Sequence, residues 1–136
     1  MRTEKKHELK RLRHWRIRKR VSGTKERPRM SVCFTSQNIH VQFIDDSAGM
    51  TLAATSTASK STPDRDKLSA NIASAKTIGK LAAEAALAKG IKAVVFDRGG
   101  ARFHWSERKE KDGKPLRTLG KLATLAAAAR AAGLKF

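Results

Sequence analysis

The sequence predicts one α/β domain, in which a mixed sheet packs against two main helices, preceded by a basic N-terminal arm. Three segments of alternating apolar residues lie within 30–56 and are separated by turn residues, which predicts an antiparallel meander. An amphipathic stretch at 70–89 leads into the apolar run at 91–96, an order typical of a helix that crosses over to a buried parallel strand. Thirteen of the 30 Lys and Arg precede Met30, but only three of the 12 acids do.

Residues 1–28 are predicted to form the basic arm and a hinge. Leu12 and Trp15 recur at helical spacing, but like charges four residues apart disfavour a free helix. We therefore expect an arm that is disordered alone and orders on a phosphate backbone, with a solvated charged helix as the alternative. Gly23 and Pro28 interrupt the stretch that follows, which predicts a turn into the domain at 29–136.

The three strands of the meander are expected at Met30–Ser36, Ile39–Asp45 and Met50–Ser56. In the first two segments every second residue is apolar, which is the period of a half-buried strand. The short loops between consecutive strands favour an antiparallel arrangement.

Two helices are expected to pack on this sheet. Ser69 is the predicted N-cap of the first helix, Ala70–Lys89. The second is predicted at about Lys121–Ala132, and Gly133 is its expected stop.

A basic hairpin is predicted at about 105–119, inserted between the last strand and the last helix. Asp112 and Gly113 form the two-residue signal of a tight β-turn. The alternative is that Pro115 occupies the first position of the last helix, which would then start there.

The charge of the chain indicates a polyanionic partner. A formal net charge of +18 and a pI near 11.0 are the electrostatic footprint of nucleic-acid binding. No apolar run approaches the roughly 20 residues that span a bilayer, so we expect no membrane segment. The N-terminal stretch lacks the apolar core of a signal peptide, so none is expected.

The side chains give no indication of a metal, cofactor or small-molecule substrate site. Cys33 is the only cysteine, and the four histidines are scattered. A metal-dependent nuclease would need several converging carboxylates. Asp45 and Asp46 are adjacent and should point to opposite sides of a strand, and Asp97 is expected in an ion-paired turn with Arg98. We therefore expect no catalysis.

Several stretches resemble a known family. They are RIRKRVSGTKERPRMSV at 16–32, VQFIDD at 41–46, TLAATST at 51–57, ANIASAK from 70, KGIKAVVFDRGG at 89–100 and AARAAGLKF at 128–136. Together and in this order they resemble the bacterial form of the large-subunit ribosomal protein L-eighteen (uL-eighteen) family.

The resemblance implies a structural role in the cytoplasmic ribosome. It implies binding to 5S rRNA, contacts with large-subunit rRNA and with neighbouring ribosomal proteins of the central protuberance, and help in mounting the 5S particle there. It also implies a ribonuclease H-like mixed sheet. The alternative that rests on charge alone is a generic basic nucleic-acid-binding protein, such as one that compacts DNA.

The chain departs from the family after its two glycines. The family usually has a short aromatic stretch that ends in His-Gly, followed directly by the last helix. Here His104 fits, but the matching glycine is Gly120, which leaves about fifteen extra residues, 105–119. We expect this insertion to reach additional RNA or a neighbouring protein.

The candidate RNA-binding residues fall into three groups. Basic and aromatic residues of the arm and hinge should bind phosphate, although Trp15 could stack on a base or pack on the domain. Polar residues of the first hairpin turn and strand face could bind sugar and base edges, or could be ordinary surface groups. The two glycines with their flanking arginines could admit a phosphate, or could only cap the strand. The arm and hinge group is Lys10, Arg11, Arg13, Trp15, Arg16, Arg18, Lys19, Arg20, Lys25, Arg27 and Arg29; the strand-face group is Ser36, Gln37, Asn38, His40 and Gln42; the glycine-loop group is Arg98, Gly99, Gly100, Arg102 and His104.

Overall fold

The computed structural model describes the backbone of residues 1–109 and 115–136, and the side chains of these residues outside 108–117. The elements are, in order, α1 (Thr3–Arg18), β1 (Arg29–Phe34), β2 (Ile39–Asp45), β3 (Met50–Ser56), a 3₁₀ turn (Arg65–Lys67), α2 (Ile72–Ala88), β4 (Val95–Asp97), β5 (Trp105–Lys109), β6 (Pro115–Leu119) and α3 (Lys121–Ala131). Among the described helices, none is long and apolar enough to cross a membrane.

The first four strands form one mixed sheet in the order β3-β2-β1-β4. β1 and β2 pair antiparallel, as do β2 and β3, which confirms the predicted meander. β4 pairs parallel to β1, with Arg29 opposite Val95. The parallel strand is shorter than the apolar run at 91–96 suggested, because the chain before Val95 makes only a single bridge, from Ala93 to Lys135. The predicted mixed α/β sheet is confirmed.

One face of this sheet forms the core with α2 and α3. On β2, and on β1 from Met30 to Cys33, the buried side chains alternate with exposed or half-buried ones, as the pleat requires. The opposite face carries Cys33, His40 and Gln42 and has no helix of the core against it. The buried apolar residues are Met30, Val32, Ile39, Val41, Phe43, Ala75, Ile78, Ala82, Ala83, Ala86, Ile91, Val94, Leu122, Ala123, Leu125, Ala126, Ala129 and Leu134.

The cap of α2 lies two residues later than predicted. Asn71, not Ser69, is the N-cap, and its side chain accepts a hydrogen bond from the Ser74 backbone N at 2.7 Å. Ser69 instead donates its own backbone N–H to the Ser74 hydroxyl at 3.1 Å. Asn and Ser cap helices about equally well, so the sequence alone could not rank the two positions.

The helices α2 and α3 approach closely at Gly79. A Cβ at this position would lie 2.5 Å from the Leu125 carbonyl oxygen and 3.0 Å from the Ala128 Cβ. Only glycine fits between these helices without a shift of the backbone.

We expect Gly79→Ala to lower the free energy of unfolding by about 1–3 kcal/mol, because overpacking must push α3 away from α2. Lys76→Ala on the exposed side of the same helix is the matched control and should change it by less than about 0.5 kcal/mol. Urea titrations of both variants would measure the difference. Equal midpoints would show that the helices separate without cost.

Two antiparallel strands occupy the position of the predicted hairpin, and the alternative that α3 starts at Pro115 is wrong. Pro115 begins β6, which pairs antiparallel with β5 in a separate two-stranded sheet. The predicted Asp112-Gly113 turn lies outside the described residues. α3 begins at Lys121 and ends close to Gly133, as predicted.

Candidate nucleic-acid interface

The N-terminal arm is a solvated helix rather than the disordered segment we expected. α1 has no buried residue, and only Ile17 is half-buried. The sequence favours the helix despite like charges, because Leu, Arg, Lys and Glu are strong helix formers. Glu4 in the first turn and Arg18 in the last also complement the helix dipole. The exposed Lys and Arg side chains of the arm therefore project from a single helix.

Trp15 lies on the surface of this helix and does not pack on the domain. It is 60% exposed, and the Arg11 guanidinium lies over its ring at 5.5 Å from the centroid. Arg and Trp at i and i+4 can form a cation–π pair. The exposed ring keeps an open face for stacking.

The helix approaches the domain at Gly100, the second of the two glycines that follow β4. Gly99 has φ +57° and Gly100 has φ +77°, a left-handed conformation that glycine adopts without strain. A Cβ at Gly100 would lie 3.2 Å from Arg13 Cδ and 3.8 Å from Ile17 Cδ1. The structure thus brings the arm and the glycine loop together, with Arg98 and Arg102 exposed beside them.

A second contact joins the last turn of α1 to the end of β2. Arg18 Nη2 donates a hydrogen bond to Asp46 Oδ1 at 3.1 Å. Arg18, a candidate phosphate ligand, therefore also forms an ion pair within the protein. The Arg18 side chain remains 40% exposed. Arg18 therefore serves the attachment of the arm as well as its charge.

Arg29 was predicted to bind RNA, and this prediction is wrong. Arg29 is only 4% exposed. Its Nε and Nη2 donate to the two Asp46 oxygens at 2.9 and 3.0 Å, and its Nη1 donates to Asp97 Oδ2 at 2.9 Å. A buried arginine must be paired, and here two carboxylates pair it. It is the centre of a buried ion network, not part of the interface.

The network changes the acid–base properties of its members. Hydrogen bonding from Arg29 lowers the pKa of Asp46 to about 2, against the opposing effect of burial, and the hydrogen bond from the Gly23 backbone N assists. The hydrogen bond to Asp46 raises the pKa of Arg29 above its usual value. Asp46 is therefore a carboxylate at neutral pH.

Asp97 links this network to the glycine loop. It is 1% exposed, and its second oxygen, Oδ1, accepts a hydrogen bond from the Gly99 backbone N at 2.8 Å. Its ionic partner is Arg29 and not the adjacent Arg98, so the expected ion-paired turn with Arg98 is wrong. Arg98 is exposed and stays directed to the surface.

The strand-face candidates divide into free and engaged groups. Ser36, Gln37 and Gln42 are exposed. Asn38 is half-buried, and its Oδ1 accepts a hydrogen bond from the Thr57 hydroxyl at 2.9 Å. His40 Nδ1 lies 2.8 Å from the Ser56 hydroxyl. For Asn38 and His40 the structural role in the meander therefore competes with binding of a base edge.

The hinge presents two further cations. Lys25 and Arg27 are exposed, as their assignment to the interface requires. Arg27 also donates from Nε to the Val94 carbonyl oxygen at 3.3 Å, which ties the hinge to the chain before β4. Lys10, Arg16, Lys19 and Arg20 are exposed on or just after α1.

The inserted hairpin leaves and re-enters the domain at one point. The Gly120 backbone N donates to the His104 carbonyl oxygen at 3.0 Å, and a Cβ at Gly120 would lie 2.7 Å from His104 Cε1. Trp105 and Leu119 are the first paired residues beyond this junction. His104 and Gly120, separated in sequence, are therefore neighbours in space, as the family's His-Gly pair would be.

The two residues that organise this interface, Asp46 and Asp97, were absent from the predicted set. Each follows or ends a strand next to β1, where the buried Arg29 begins. A strand-end position alone is not a sufficient signal, because Asp45 also ends a strand and accepts hydrogen bonds from the Ser47 and Ala48 backbone N atoms. Among the described residues, no group of three or more His, Cys, Asp or Glu is placed to hold a metal.

Comparison with known proteins agrees with this architecture. Residues 4–108 match the family model described as ribosomal L18 of archaea, bacteria, mitochondria and chloroplasts. The chain is 46% identical to large ribosomal subunit protein uL18 of Dictyoglomus turgidum over 129 residues, which cover 95% of this chain and 93% of the relative. It is 47% identical to uL18 of Pseudothermotoga lettingae over 124 residues, 91% of this chain and 89% of the relative. A match this extensive leaves one assignment: the chain belongs to the ribosomal L18 family.

Proposed function

We propose that this protein binds 5S rRNA, contacts large-subunit rRNA and helps to attach the 5S particle to the central protuberance. The relatives are named as proteins of the large ribosomal subunit, and the chain is a structural ribosomal protein, not an enzyme. Family membership supports a structural role in the large ribosomal subunit. The surface described above supports the choice of 5S rRNA as the ligand.

The observation that carries the proposal is the exposed basic helix held against the glycine loop. α1 carries Arg and Lys around its surface, and Arg13 contacts Gly100 beside the exposed Arg98. Phosphate contacts provide affinity with little sequence information. A basic helix and a basic loop that are held at a fixed angle can instead select double-stranded RNA by its shape.

Within this proposal the chain has two parts. Residues 1–28 are the arm and hinge that provide most of the affinity, and residues 29–136 are the domain that sets the direction of the arm. The exposed residues of the strand face and of the hinge provide secondary contacts. The protein neighbours in the central protuberance would meet surfaces that the RNA leaves open.

A competition experiment tests the choice of RNA. Labelled 5S rRNA bound to the protein at about 0.15 M salt, where non-specific contacts weaken, is challenged with unlabelled 5S rRNA or duplex DNA. We expect 5S rRNA to compete at far lower concentration. Equal competition would support a generic nucleic-acid-binding protein instead, as would failure of the protein to sediment with the large subunit.

The inserted hairpin is proposed to reach additional RNA or a neighbouring protein of the subunit. It forms its own sheet and is joined to the domain at the His104–Gly120 contact. The insertion itself, 105–119, carries five Lys or Arg and three acids. Its contribution should therefore depend on its position more than on its net charge.

Deletion of residues 105–119, with His104 joined to Gly120, should leave the domain folded, because the two ends already touch. We expect weaker incorporation into large subunits, measured by competition between deleted and complete protein during assembly. Thermal unfolding is the control for the fold. Unchanged RNA affinity together with unchanged incorporation would show that the hairpin has no role in the particle.

A further inference from the structure

Asp46 lies where three segments of the chain meet. Its carboxylate accepts hydrogen bonds from Arg18 on α1, from the Gly23 backbone N in the hinge at 2.8 Å, and from Arg29 on β1. Its own backbone N donates to the Gly23 carbonyl oxygen at 3.0 Å. A single acid thus joins the arm, the hinge and the sheet.

The domain side of this junction is rigid. Arg29 is buried and is also held by Asp97, and a Cβ at Gly23 would collide with the Arg29 backbone N and the Ile44 carbonyl oxygen. Asp46 accepts two hydrogen bonds from Arg29 and one from Gly23, and neither of these partners belongs to α1. The bond to Arg18 is the one that reaches the helix.

The helix has a second point of attachment, formed by Arg13, about one and a half turns before Arg18, and by Ile17, the residue next to Arg18. Arg13 and Ile17 lie over Gly100, which follows the Gly99 held by Asp97. One attachment would let the helix pivot, whereas two attachments define its axis. Both attachments are connected to the same Arg29 network, so the direction of the arm is set by the sheet.

An exposed carboxylate at this place would repel phosphate. Asp46 avoids that penalty because its side chain is only 16% exposed and each oxygen accepts two hydrogen bonds. Its charge therefore serves the attachment without facing a polyanion. A helix held in one direction also loses less conformational freedom when it binds, which raises affinity without a new contact.

We infer that Asp46 is a positioning residue that fixes the direction of α1 through Arg18, so that the arm meets RNA already oriented. This inference rests on the proposed RNA-binding function of the arm. Asp46 acts through Arg18 and does not itself contact RNA. The class of ligand is folded RNA whose phosphates match two basic elements at a fixed angle.

The direction of the helix can be measured without RNA. Cys33 is exposed and is the only cysteine, so a second cysteine from Glu4→Cys allows two spin labels and a distance distribution by pulsed EPR. We expect one narrow distribution in the parent. Arg18→Gln should broaden it, since it leaves the Asp46 bonds to Arg29 and Gly23 intact and removes only the bond to the helix.

Arg16→Gln is the matched control. Arg16 lies on the same helix, is exposed, and makes no ion pair or hydrogen bond through its side chain within the described part of the chain. Arg16→Gln removes the same charge as Arg18→Gln but breaks no bond between the helix and the domain, so the distance distribution should remain narrow. Equal distributions in the two variants would overturn the inference.

Binding of 5S rRNA at several salt concentrations completes the test. If both arginines contact phosphate, each variant should lower the salt slope by about 0.7–0.9. Arg18→Gln should lose roughly two- to fivefold more affinity than Arg16→Gln, the range expected for loss of one partly exposed ion pair. Equal losses would overturn the positioning role. Failure of the parent to prefer 5S rRNA would refute the proposed function and leave the distance result standing.

Discussion

A protein that lacks residues 1–20 should remain folded and bind 5S rRNA at least about a hundredfold more weakly at 50 mM salt. The segment holds ten Lys or Arg and two Glu. If about six of these cations engage phosphate, the slope of log K against log salt should fall by about four to five. The complete protein should lose roughly a thousandfold in affinity between 50 and 200 mM salt, and the truncated one far less.

The fold should survive the truncation because α1 contributes no buried residue to the core. Asp46 would keep its bonds to Arg29 and Gly23. A full-length variant with Gln at Lys10, Arg11, Arg16 and Arg20 is the matched control, since it removes charge while Arg13 and Arg18 still attach the helix. It should reproduce most of the lost salt dependence. Circular dichroism that shows an unfolded truncated chain would mean that the arm belongs to the core.

The largest effect on stability is expected from Asp97→Ala, at about 3 kcal/mol in the free energy of unfolding. Removal of this carboxylate leaves Arg29, which is 4% exposed, with Asp46 as its remaining ionic partner, and opens a cavity at the last residue of the parallel strand β4. The Gly99 backbone N also loses its acceptor. The substitution should therefore lower the free energy of unfolding and also disturb the conformation of the glycine loop.

Asp66→Ala is the control for this substitution. Asp66 is 96% exposed and its ion pair with Arg65 is long, at 3.7 Å, so its removal should change stability by less than about 0.5 kcal/mol. Denaturant titrations of both variants provide the comparison. Similar midpoints would show that the Arg29 network contributes little to the fold.

The sequence allowed the elements to be placed well, because their patterns are local. The alternation at 30–45 predicts β1 and β2, and Gly133 marks the end of α3 to within two residues. The strands at 105–109 and 115–119, expected on either side of the Asp112-Gly113 signal, pair antiparallel. Each of these signals lies within the segment that it describes.

The ion network could not be found this way, because its partners are distant in sequence. Arg29 lies 17 residues from Asp46 and 68 from Asp97. The antiparallel pairing of β1 with β2 brings Asp46 to it, and the parallel pairing of β1 with β4 brings Asp97. In the sequence Arg29 is one more cation of a basic run, so charge density assigned it to the surface. The helical arm was missed for the same reason. The like charges that argue against a helix are evident in the sequence, but the contact of the arm with the distant Gly100 is not.

The His104–Gly120 contact has a practical consequence for work on intact particles. Since the two residues are already hydrogen-bonded across the base of the hairpin, the length of whatever connects them is free to vary. An epitope or affinity peptide could replace residues 105–119, with its two ends joined to His104 and Gly120, which already lie side by side. Large subunits that incorporate such a chain could then be separated from untagged ones, with the N-terminal arm left native.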